Sequence, residues 1–130
     1  MRLLTTIILI CFFIGAIAQE KEIWACQQIE GTLMNWENGS WNTYGTKPTP
    51  LLLTINGDIA SVKEEDYESW YSCSKAQYEP FISCLSSSMG THLYFNPETA
   101  RLGKSTLLGA ISKAEYRDSV SAVVYNCTKF

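Results

Sequence analysis

The sequence predicts an all-β domain: an antiparallel small β-barrel or flattened two-sheet sandwich of about eight short strands, stapled by disulfides. Three observations carry that expectation. Short β-prone runs alternate with turn residues along the chain, with Asn-Gly pairs at 38–39 and 56–57. No stretch of useful length shows the i, i+3, i+4 apolar spacing of an amphipathic helix. Four cysteines, Cys26, Cys73, Cys84 and Cys127, are spread over the region beyond an apolar N-terminal leader.

Taken in order, Ile23–Thr32 is the first predicted strand, and Ser40–Thr46 returns from an Asn38-Gly39 hairpin flanked by Trp36 and Trp41. Lys47-Pro48-Thr49-Pro50 forbids regular pairing and marks a loop or sheet corner. Leu51–Ile55 and Ile59–Lys63 bracket a second hairpin turn at Asn56-Gly57-Asp58. The charged, aromatic stretch 64–72 (EEDYESWYS) is expected to be a long loop with at most one helical turn. Phe81–Ser86, Leu93–Asn96, Ser105–Ser112 and Ser119–Thr128 supply four more strands, with turns at Met89-Gly90, Asn96–Thr99 and Lys113–Asp118. In a meander that closes, first and last strands are neighbours, so the natural pairing is Cys26–Cys127 and Cys73–Cys84.

Residues 1–18 (MRLLTTIILICFFIGAIA) have an arginine, an apolar run and an Ala-x-Ala ending, the pattern of a secretory signal peptide cleaved before Gln19. The apolar run is short for a membrane span, so no membrane insertion is expected after cleavage. The expected organisation is a signal peptide, 1–18, and one barrel or sandwich domain, 19–130, secreted or periplasmic. Cys11 lies deep in the leader, leaving an even cysteine count for disulfides. No two cysteines stand in C-x2-C spacing, which argues against zinc. The net charge is −3 for the whole chain, and scattered lysines give no footprint for nucleic acid.

Catalytic motifs are absent. Gly103-Lys104-Ser105 ends like a phosphate-binding loop, but Glu98 occupies the position where the motif needs its first glycine. The tripeptide is expected in a strand-entry turn. His92 is the single histidine, no serine sits in G-x-S-x-G, and no EF-hand spacing surrounds the acids Glu64, Glu65, Asp66 and Glu68. Those carboxylates are expected to be a solvated loop, with a small hydrolase using them as a third-ranked reading. No catalytic residue, metal ligand or cofactor is assigned. Asn38 and Asn126 match the N-glycosylation pattern, which matters only in a eukaryotic host.

The chain also resembles short, signal-peptide-bearing, uncharacterised β-rich proteins of Gram-negative bacteria. The likeness is carried by Trp24-Ala25-Cys26, the Trp36–Trp41 hairpin, the mid-chain cysteine pair, Phe95–Leu102, and Tyr116–Ser119 leading to Cys127–Phe130. It implies a lipocalin-like (calycin-type) small barrel outside the cytoplasm and brings no activity with it.

Aromatics are the remaining signal. Trp36, Trp41 and Tyr44 fall on one hairpin, and Tyr67, Trp70 and Tyr71 on the 64–72 stretch. Such residues at a barrel mouth stack on sugars or apolar ligands, or anchor protein interfaces. The expectation is an exported binding module for a small apolar or amphipathic molecule or a protein partner. The alternative is a structural or interaction protein, such as an envelope accessory subunit or inhibitor, with a solid core.

Overall fold

The computed structural model describes residues 20–77, 80–86, 90–107 and 119–130, and these are all strand, turn and connecting loop. Nine strands follow in chain order: β1 Glu22–Glu37, β2 Ser40–Gly45, β3 Leu51–Asn56, β4 Ile59–Glu64, β5 Tyr67–Lys75, β6 Ile82–Leu85, β7 Thr91–Asn96, β8 Arg101–Thr106 and β9 Ser119–Lys129. Each neighbour pairs antiparallel, and β9 returns to β1, so β1 and β3 through β9 form a closed eight-stranded barrel. β2 is extra, lying beside the second half of β1.

Turn chemistry sets the register. Asn38 and Gly39 both take positive φ (53° and 82°), as a two-residue hairpin loop that matches strand twist requires. Gly57, at φ 68°, opens the Gly57-Asp58 loop between the paired Asn56 and Ile59. Asn96 Oδ1 accepts the N–H groups of Glu98 and Thr99 at 2.9 and 3.2 Å, closing the turn before β8. β1 runs sixteen residues because a bulge between Gln28 and Glu30 bends it. It pairs with β3 below the bulge, β2 above it, and β9 along nearly its whole length.

The barrel has two ends. The lower end carries the β3–β4 and β7–β8 turns, and the upper end carries the β4–β5 turn and the protruding β1–β2 hairpin. Alternate residues fill the lower interior: Leu53, Leu93, Leu102 and Phe95 are almost wholly buried, and Trp24 on β1 meets Phe95 on β7 edge-on at 4.9 Å. Burying each such aliphatic side chain stabilises the fold by roughly 1.5–3 kcal/mol. Two disulfides join facing residues of adjacent strands, Cys26–Cys127 across the β1–β9 seam and Cys73–Cys84 across β5–β6. Both are as the closed meander predicts, and both suit an oxidising compartment.

Two expectations are corrected. Residues 64–72 are not a long loop: Glu64 ends β4, Glu65-Asp66 is a tight turn, and Tyr67 begins β5. Glu65 makes this possible by taking a left-handed φ of 50°, which glutamate rarely adopts. Gly103-Lys104-Ser105 is not a strand-entry turn either, but the interior of β8, whose start is set by the 97–100 turn. The turn expected at 113–118 and the end of the strand expected at 105–112 lie outside the described residues, as do residues 1–19.

Candidate functional site

Above the apolar core the interior turns polar. On β8 the inward row is Leu102, Lys104, Thr106; on β4 it is Ala60, Val62, Glu64. Lys104 Nζ donates to Glu64 Oε1 at 2.5 Å. These two strands stand four places apart in a ring of eight, so the ion pair spans the bore. Its side chains keep 20% and 27% of their surface accessible. The pair is thus only partly withdrawn from solvent.

Tyrosines complete the floor. Burial pushes the Tyr125 hydroxyl up to about 12, with the negative charges of Glu64 and Tyr71 adding to it. Tyr71 is raised by the same burial, partly offset by its bond with Ser69. Thr91 and Thr106 share a hydrogen bond at 2.9 Å across β7–β8. Among the described residues no buried side-chain polar atom lacks a partner. The upper interior offers an ammonium, a carboxylate and several hydroxyls, and among the described residues it pairs no hydroxyl or thiol nucleophile with a histidine base.

The six aromatics expected to bind do not form one surface. Tyr67 and Tyr71 share the inward face of β5 with Ser69, whereas Trp70 points outward and is 63% exposed. On the hairpin, Trp36 and Trp41 face each other edge-on at 5.5 Å on the outer side. Tyr44, paired with Leu33, lies on the opposite face, where its hydroxyl donates to Glu37 Oε2 at 2.8 Å. Strand alternation splits each sequence cluster: Tyr44, Tyr67 and Tyr71 belong to the bore side, and the three tryptophans to the outside.

The acids at 64–68 are dispersed by the same alternation. Glu64 points inward, Glu65 and Asp66 sit exposed in the turn, and Glu68 lies opposite Lys63. His92 is on the outer wall, stacked on Tyr94 at 4.5 Å and hydrogen-bonded through Nε2 to Ser83 Oγ at 2.9 Å. No cluster of metal-ligating side chains occurs among the described residues. What sequence reasoning missed is the Lys104–Glu64 pair, because nothing in a linear pattern links residues 40 positions apart.

A concavity of about 470 Å³ opens at the lower end, with Ile55, Phe81 and Ile82 against Glu22, Lys75 and Glu98. Glu22 is already committed there: Lys129 Nζ donates to it at 2.7 Å and the Trp24 indole N–H at 3.3 Å.

No family model, curated protein or solved structure matches this chain.

Proposed function

We propose that this protein is an exported, non-enzymatic binding module whose upper bore receives a small amphipathic molecule. The carrying observation is the ion pair across the bore. Charges inside a small barrel cost desolvation that packed apolar residues would avoid, so their presence at the water-accessible end points to a polar ligand group. In this reading Lys104 donates to an acceptor head that replaces Glu64, while Tyr67, Leu33 and Tyr44 flank the apolar part. The leader at 1–18 and the two disulfides support a secreted or periplasmic location. The closed eight-stranded barrel supports the lipocalin-like comparison at the level of architecture.

One observation favours the rival reading of a scaffold with a packed interior: the lower half of the bore is filled by Trp24, Phe95, Leu93 and Leu102. A single experiment separates the two. A fluorescent fatty-acid analogue is titrated into the oxidised protein, with native mass spectrometry on the same sample. Binding is expected for the native chain, weakened about tenfold in the double variant Glu64→Leu/Lys104→Met, a loss of about 1.4 kcal/mol. That swap replaces the ion pair with apolar bulk and is expected to keep the fold. A folded native protein that takes up no probe and no adduct would favour the scaffold.

A further inference from the structure

Among the described residues the β1–β2 hairpin leaves the outer edge of β2 unpaired, and its chemistry is specific enough to name what fits. Glu37 and Ser40 close the two-residue Asn38-Gly39 loop, which makes them a hydrogen-bonded pair. Pairs then alternate along the ladder, so Asn42 and Tyr44 turn their N–H and C=O groups toward β1. The N–H of Thr46 donating to the Gly31 carbonyl at 3.2 Å continues that alternation. Trp41, Thr43 and Gly45 therefore aim their backbone groups outward, where no described strand pairs with them.

Natural edge strands are usually blunted by charge, proline or a bulge. Ser40–Gly45 (SWNTYG) contains no charge and no proline, and five of its six residues are exposed. We propose that this edge is a self-association surface on which a second copy of the chain pairs antiparallel, centred on Thr43.

The register follows from complementarity. With Thr43 opposite its own counterpart, each Trp41 lies across Gly45 of the other copy, where no side chain obstructs the indole. The edge-on contact with Trp36 already holds that indole in place. Asn42 meets Tyr44 of the other copy, and Ser40 meets Thr46. Lys47 comes beside the other copy's 38–39 turn, next to Glu37, so opposite charges adjoin at both ends. Moving the centre two residues either way draws the Asn38-Gly39 turn or Pro48 into the ladder, and both interrupt pairing.

The test uses the protein produced through the secretory route with both disulfides intact. Sedimentation from about 10 µM to about 1 mM brackets the weak association that six backbone hydrogen bonds can support. A monomer–dimer equilibrium is expected for the native chain and for Thr43→Val, which keeps the N–H. Thr43→Pro removes only the outward donor and should stay monomeric. In the native protein, amide exchange at Trp41 and Thr43 should slow as concentration rises, while Asn42, already bonded to β1, is unchanged. A native chain that remains monomeric throughout, or a Thr43→Pro variant that dimerises equally well, overturns the proposal. So does exchange at Trp41 and Thr43 that ignores concentration.

Discussion

Replacing Cys26 and Cys127 together with alanine should cost more stability than replacing Cys73 and Cys84. Both bridges join directly facing residues, with Cα atoms 3.9 and 4.0 Å apart. The difference expected between them lies in the unfolded chain. The first bridge spans 101 positions and the second 11. Loop-closure entropy then gives about 4.7 kcal/mol for the long loop and about 2.8 kcal/mol for the short one at 25 °C. Truncating sulfur adds to the same order, since Cys26 and Cys127 are both buried whereas Cys73 is only partly so. The gap of about 2 kcal/mol should appear in urea unfolding as a midpoint lower by roughly 1 M for the Cys26/Cys127 variant. Its slope should also rise more, because releasing the longer loop exposes more surface. Equal losses, or the reverse order, would refute the entropic argument and show that the seam's native contacts decide the matter.

Three further outcomes are expected. Gly31→Ala places a methyl group against Thr46 Oγ1 and 3.2 Å from Val123 Cγ1, so thermal unfolding should show a loss of about 1–3 kcal/mol, partly recovered by adding Thr46→Ala. Tyr125 has a folded-state value near 12 against about 10 unfolded. Its contribution is therefore complete below pH 10 and is lost as pH rises towards 12, and a phenolate absorbance titration should lose its last-titrating step in Tyr125→Phe. Glu22 is held below its ordinary value by the hydrogen bond from Lys129, so its contribution is complete above about pH 4.5 and falls away as acid protonates it; acid unfolding of Glu22→Gln should lack that segment of the pH dependence.

The sequence announced its hairpins wherever glycine or asparagine chemistry made them. Asn38-Gly39, Gly57 and the Asn96 turn all appear where expected, and so does the disulfide pairing of a closing meander, while the strand pattern alone left barrel and sandwich as alternatives. The β4–β5 turn was hidden because Glu65 adopts a left-handed conformation that no residue preference signals. Its charged neighbours then disguised β5, although Tyr67, Ser69, Tyr71 and Cys73 keep strict alternation toward the interior. The upper bore was illegible for a different reason. Glu64 and Lys104 meet only because strands on opposite sides of a small ring point at each other, a property of closure and not of local pattern.

β1 shares its edges with three strands, and the timing of synthesis gives that a consequence. β2 follows within a few residues, so the hairpin can form as soon as both emerge, and β3 soon after. The remaining edge, eleven residue pairs long, has to wait for β9, some hundred residues later. Until then that edge of β1 has no native partner and Cys26 no native bridge. During that interval Cys73 and Cys84 pass by as competing thiols. A pair only 11 residues apart closes at a lower entropic cost than one 101 apart, which favours Cys73–Cys84 forming first and leaving Cys26 to Cys127.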